Sequence, residues 1–213
     1  MTAAAPTPPE SLLPIAGVIL AGGRGSRMGG VDKALIPLGG RALADHVRDR
    51  LAPQVAALAI SANGDPGRFS GTVLPDPLPD QPGPLAGVLA AMDWAGGLGF
   101  GHVVTVSTDT PFLPRDLVRR LWAGGSGGPA IAATETAPGV LRAHPTFGLW
   151  PVGLATDLRE TLARGDRKVM LWAERQGATL VPFATGTVDP FFNINTPDDL
   201  AQAERLLPIC PQA

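Results

Sequence analysis

Residues 15–33, which read IAGVILAGGRGSRMGGVDK, constrain the fold more than any other part of the chain. The first six are almost wholly apolar with no polar alternation, the pattern of a central strand covered on both faces. Gly22, Gly23, Gly25, Gly29 and Gly30 then fall within nine residues, accompanied by Arg24, Arg27 and Lys33. Glycines let a backbone turn sharply and bring its N–H groups close to a bulky anion, while the cations offset the anion's charge. A strand that runs straight into a phosphate cradle is therefore expected.

Two familiar glycine patterns do not fit. The dinucleotide fingerprint G-x-G-x-x-G fails because Met28 stands where the third glycine should permit close helix packing. The P-loop fails because Gly25 and Gly30 are correctly spaced but Lys33 follows two places late.

Apolar runs at residues 55–60, 71–74, 103–106, 129–134, 145–150 and 179–183 read as further strands. Between them, residues 41–51, 85–94, 114–122, 152–163, 169–175 and 197–207 read as helices, the last with Thr196 as N-cap. Residues 34–38 form a short extended piece. Alternating strands and helices with short links imply a three-layer α/β fold, a doubly wound and mostly parallel sheet of Rossmann-like form, with ligands at the carboxyl ends of the strands. Residues 1–14 read as a loose tail, 15–207 as one domain and 208–213 as a second tail. The glycine-rich residues 123–128 divide the domain into halves, 15–122 and 129–207.

A chain of 213 residues with 45% apolar content fits one domain with a substantial core. A formal net charge of -2 and no basic run argue against nucleic acid as a partner. The single Cys210 excludes an internal disulfide and a cysteine metal site, and is consistent with a reducing cytoplasm. Residues 1–14 lack the positive start and apolar centre of a signal peptide, and no apolar run approaches the ~20 residues of a membrane span.

Asp109 follows an apolar strand directly, where neither helix nor strand patterning explains an acid. A hard carboxylate there suits Mg²⁺, which bridges one or two carboxylates to substrate phosphates. Capping of the turn before Pro111 explains it equally well.

The string Leu20-Ala21-Gly22-Gly23, Arg27-Met28-Gly29-Gly30, Asp32-Lys33 resembles the signature of nucleotidyltransferases that make activated sugars and pterin cofactors, and most closely the molybdenum cofactor guanylyltransferases. Asp109-Thr110-Pro111-Phe112-Leu113-Pro114 is similar to that family's metal-binding D-T-P-F-L-P segment, although Ser107-Thr108 replaces an expected Pro-Cys pair. The resemblance implies transfer of GMP from GTP to molybdopterin with Mg²⁺ held by Asp109, Lys33 and Arg27 balancing the triphosphate, and no covalent nucleophile. Catalytic roles thus fall to Arg27, Lys33 and Asp109. The implied nucleotide-binding set is Leu20, Ala21, Gly22, Gly23, Lys33, Ser61, Asn63, Asp76, Gly83 and Asp109. Asp76 resembles the family's acid ahead of the motif seen here as Gly83-Pro84-Leu85-Ala86-Gly87, which implies a carboxylate that accepts the guanine N1–H and N2–H donors, a pair that cytosine lacks. Ser61 and Asn63 resemble a family segment that lines the same base or ribose pocket, and taken alone they read as a simple turn.

Signals in the second half are weaker. His144, Arg167, Lys168, Asn193 and Asn195 lie in segments that resemble those facing the pterin. Taken singly they read as a partly buried loop histidine, a solvated helix start and two turn residues. His46, His102 and the four tryptophans read as structural. Alternatives to the guanylyl reading are a molybdopterin cytidylyltransferase and a non-catalytic nucleotide- or cofactor-binding protein of the same fold. The resemblance further implies a cytoplasmic monomer in transient contact with molybdoenzymes or their chaperones.

Overall fold

A computed structural model of the chain describes residues 14–21, 32–77 and 83–210. Strand β1 (Ile15–Leu20) is buried at every residue, as expected of a strand without polar alternation. Its alternate side chains divide between two cores. Ile15 and Ile19 face α1 (Leu43–Leu51) and α3 (Leu117–Gly125), whereas Ala16, Val18 and Leu20 face α2 (Pro84–Gly97), α4 (Ala155–Ala163) and α5 (Val169–Arg175).

Around β1 the described residues form a seven-stranded sheet. With β4 (Ala57–Ser61), β5 (Thr72–Leu74), β6 (His102–Ser107), β7 (Ala130–Ala137), β8 (Val140–Pro151) and β9 (Thr179–Phe183), the order is β5-β4-β1-β6-β8-β7-β9. β8 alone runs antiparallel to its neighbours, so the sheet is mostly parallel, as expected. The chain leaves β1 for β4 and β5 on one side and returns to β6 on the other, which makes the carboxyl ends of β1 and β6 the switch point where such sheets bind ligands.

A third cluster joins the two ends of the chain. Ile36, Leu38 and Leu43, in and beside the small hairpin β2 (Pro37–Leu38) and β3 (Arg41–Ala42), pack with Phe112, Ile194, Ala203 and Cys210. Helix α6 (Pro197–Leu206) thereby lies against the segment that follows Lys33. The chain stays packed beyond residue 207, and the buried thiol of Cys210 accepts from Arg50 Nη2 at 2.8 Å.

Several elements differ from expectation. Residues 34–38, expected to be extended, are a 3₁₀ turn (Lys33–Leu35) followed by β2. Arg41 and Ala42, expected in the first helix, pair back on β2 because Gly39 and Gly40, both at positive φ, close a hairpin. Helix α3 starts three residues late and runs into the expected glycine linker. A Cβ on Gly124 would lie 2.6 Å from Val181, and one on Gly125 would lie 2.9 Å from Ala130. Those glycines are contacts that let the helix sit close to the sheet. Strand β8 begins five residues early, so His144 is a strand residue and not a loop residue.

The aromatic expectations hold. Trp150 and Trp172 are fully buried with ring centroids 5.3 Å apart, and Trp150 Nε1 donates to Thr105 Oγ1 at 2.9 Å. His46 Nε2 bonds the Leu38 carbonyl and His102 Nε2 the Gly127 carbonyl, both at 2.8 Å. Among the described residues no helix is long and apolar enough to cross a membrane.

Candidate active site

The strand ends are level at the switch point, with Leu20 opposite both Ser61 and Ser107. Backbone bonds carry the alignment past the strands: Ala21 N donates to the Ser61 carbonyl at 2.8 Å and Thr108 N to the Leu20 carbonyl at 3.2 Å. Asp109 stands two residues beyond β6. Its Oδ1 accepts from Ser107 Oγ at 2.6 Å and its Oδ2 from Lys33 Nζ at 2.8 Å. The 3₁₀ turn that presents Lys33 is N-capped by Asp32, whose Oδ1 accepts from Ala34 N at 3.1 Å.

Lys33 also donates to Asn195 Oδ1 at 2.6 Å, across 162 positions of sequence. Asn195 is set from both sides. The preceding residue, Ile194, donates its N–H to the Asp109 carbonyl at 2.8 Å, and Asn195 N donates to Asp199 Oδ2 at 2.9 Å. Asp199 and Thr196 form a capping box at the start of α6. These bonds, the Asn195 amide first, hold the Asp199 carboxyl below its ordinary pKa despite opposing desolvation, and the Lys33 charge adds to the effect.

A second group lies at the ends of β4 and β5. Asn63 Nδ2 donates to Asp76 Oδ2 at 2.6 Å, and Asp76 N returns a bond to Asn63 Oδ1 at 2.9 Å. One oxygen of Asp76 thus has a fixed partner. Ser61 is buried, and the first turns of α2 press so close that a Cβ on Gly87 would lie 2.9 Å from Leu20 and 3.1 Å from Ser61 Oγ. Gly83, at φ 144°, is the N-cap of that helix.

The structure therefore brings Leu20, Ala21, Lys33, Ser61, Asp109 and Asn195 to one edge, with Asn63, Asp76 and Gly83 along it. Gly22, Gly23 and Arg27 lie outside the described residues. His144, Arg167 and Lys168 have other surroundings. His144 is buried, bonds Thr134 Oγ1 at 3.1 Å, and stacks on Phe191 at 4.2 Å. Burial, with Arg142 nearby, lowers its pKa to about 4. Arg167 Nη1 donates to the carbonyls of Leu162 and Asp166, while Lys168 and Asn193 are exposed.

Sequence reasoning missed Ser107, Asp199 and Arg68. Arg68 forms an ion pair with Asp32 and also donates to the carbonyls of Asn63 and Asp65, so it fastens the Lys33 turn to the Asn63–Asp76 group. Only the spacing of Thr196 and Asp199, a capping-box signature, was available as a sequence signal.

Among the described residues no group of three or more His, Cys, Asp or Glu side chains gathers around one point. A cation at this edge would have Asp109 as its protein carboxylate and take its other ligands from phosphate and water. That donor set suits Mg²⁺ and is too poor in nitrogen and sulfur for zinc.

Residues 17–179 match the family described as the MobA-like NTP transferase domain. A molybdenum cofactor guanylyltransferase from Cereibacter sphaeroides is 52% identical over 90% of this chain and 96% of its own. Another from Mesorhizobium japonicum is 49% identical over 91% and 96%. Among solved structures, molybdopterin-guanine dinucleotide biosynthesis protein A from Archaeoglobus fulgidus superposes with a TM-score of 0.71 at 24% identity, covering 92% of this chain and 100% of its own. The 2-C-methyl-D-erythritol 4-phosphate cytidylyltransferase from Thermus thermophilus gives 0.62 at 18% identity, covering 90% and 98%. Both structural likenesses concern the fold. With a match spanning both the glycine-rich edge and the reversed strand, and relatives about half identical along nine-tenths of its length, the chain belongs to the MobA-like NTP transferase family.

Proposed function

We propose that the chain transfers GMP from GTP to the terminal phosphate of molybdopterin, forming the guanine dinucleotide and releasing pyrophosphate. The observation that carries this reading is the Lys33–Asp109 ion pair at the switch point, closed by Asn195 from the second half of the chain. Relatives that bear the guanylyltransferase name support the choice of nucleotide and acceptor.

An oxygen of the acceptor phosphate forms a bond to the α-phosphorus in line with the departing group. The bond from that phosphorus to the α–β bridging oxygen breaks, and its electron pair leaves with pyrophosphate. Such a reaction needs positioning and charge more than covalent help from the protein. Asp109, oriented by Ser107, would hold Mg²⁺, which when bound offsets the charge that develops on the triphosphate. Lys33 has two ammonium protons engaged by Asp109 and Asn195 and keeps a third for a phosphate oxygen. Gly22, Gly23 and Arg27 would complete the triphosphate cradle. Asp76, steadied by Asn63, would accept from guanine N1–H and N2–H, a donor pair absent from cytosine.

Incubation of the purified protein with molybdopterin, Mg²⁺ and either GTP or CTP tests the reading, with pyrophosphate release and product mass as readouts. Dinucleotide from GTP alone is expected. Preferential use of CTP would transfer the assignment to the cytidylyl reaction, and nucleotide binding without turnover would make the chain a binding protein.

A further inference from the structure

The Lys33 ammonium has a partner on each side, and the two partners are held differently. Ser107 orients Asp109 from the adjacent strand end. Asn195 belongs to a segment distant in sequence and is exposed. What fixes it is backbone. The Asp109 carbonyl receives Ile194 N–H, and Asp199 Oδ2 receives the N–H groups of both Asn195 and Thr196, at 2.9 and 2.8 Å. The other half of the capping box, Thr196 Oγ1, accepts from Asp199 N at 3.2 Å and, among the described residues, has no hydrogen bond to Asn195 or Lys33.

We infer that Asp199 is a positioning residue for catalysis: by gripping the Asn195 backbone it aims Asn195 Oδ1 at Lys33 and so holds the ammonium between the two halves of the site. The inference rests on the nucleotidyl-transfer reading, but its geometry concerns Lys33 whatever the substrate. Asp199 touches no reacting atom. It acts through Asn195, and slack of a fraction of an ångström at Lys33 is enough to slow a reaction that depends on positioning.

Thr196 provides the control. Loss of either capping partner weakens the start of α6, so a merely structural role predicts equal behaviour of Asp199→Ala and Thr196→Ala. Both should melt about 2–4 °C lower. With GTP and molybdopterin, Asp199→Ala is expected to lower kcat about tenfold with KM for GTP little changed. Thr196→Ala should stay within about threefold of wild type, and Asp199→Asn, which keeps an acceptor oxygen, should recover most of the rate. In an Asn195→Ala background, Asp199→Ala should add almost nothing, because the pathway is already broken.

A second measurement is independent of turnover. Lys33 is one of two lysines in the chain, the other being Lys168, so its ¹⁵Nζ resonance is readily assigned. It should be protected in the full-length wild type and in Thr196→Ala, and should move towards the exposed Lys168 signal in Asp199→Ala. Wild-type kcat in Asp199→Ala, or equal kcat losses in Asp199→Ala and Thr196→Ala, would overturn the inference. If the wild type binds GTP without transferring it, the functional reading fails and the Lys33 resonance decides alone: movement in Asp199→Ala only supports positioning, and no movement refutes it.

Discussion

Lys33 Nζ lies 2.8 Å from Asp109 Oδ2, with both side chains mostly withdrawn from solvent, and the pair ties the turn after the glycine-rich segment to the end of the neighbouring strand. Asp109→Asn keeps the shape and the Ser107 contact but removes the charge. Turnover should fall about a thousandfold, whereas the melting temperature should move by less than about 5 °C because Lys33 retains Asn195. Steady-state rates and a melting curve on the same sample check both parts, and ordinary turnover would rule out a metal role for Asp109.

Asp76 tests the base. Asp76→Asn replaces a carboxylate acceptor by an amide, so KM for GTP should rise about 10–100-fold, the value of a hydrogen bond to a charged group. ITP lacks the N2 amino group and should lose less. Comparing the two nucleotides in wild type and variant measures the contribution directly, and equal losses would place Asp76 outside the base pocket.

Arg68 connects the Asn63–Asp76 group to the Lys33 turn through Asp32 and the Asn63 carbonyl. Arg68→Ala should raise KM for GTP about three- to tenfold with a smaller change in kcat. Arg68→Lys should not restore it, since an ammonium cannot reach both partners as a planar guanidinium does. Titration of GTP by calorimetry gives the binding change without the pterin.

His144 gives the fold a pH dependence. Its pKa is about 4 in the folded chain because burial disfavours the charged ring, against an ordinary value of 6.5. Between those values the unfolded chain binds the extra proton, so stability is complete above pH 6.5 and declines as pH falls towards 4, by at most about 3 kcal/mol. Denaturant melts at pH 7 and pH 4.5 should differ by part of that amount. His144→Gln, which carries no titrating group, should remove this contribution to the slope; an unchanged slope would show that other groups cause it.

Where one segment determined its own structure, the sequence was legible. The almost wholly apolar residues 15–20 before a glycine run read as a covered strand, and the acid after the apolar 103–106 run read as standing at a strand end. Meaning was lost where a distant partner decided it. Gly124 and Gly125 look like a linker until Val181 and Ala130 are seen against them. Arg41 looks helical until Gly39 and Gly40 fold it back. The site divides in the same way. Lys33 stands out in local pattern, and Asp109 does so once the family resemblance is added to a pattern that a turn cap explains equally well, but Ser107, Arg68 and Asp199 matter only through partners that the fold supplies.

The reversed strand β8 has one further consequence. Its first residues, Val140 and Leu141, pair with Ala137 and Glu135 of β7, beyond Thr134, the last residue that β7 shares with β9. The two strands thus continue past the sheet as a solvent-exposed ribbon on the side where β6 ends, closed at Gly139 with φ 76°. A ribbon tip outside the common ladder can change in length and side chains without shifting the register beneath it. Changes in length and side chain can therefore gather at this tip while Lys33 and Asp109 keep their positions at the other strand ends.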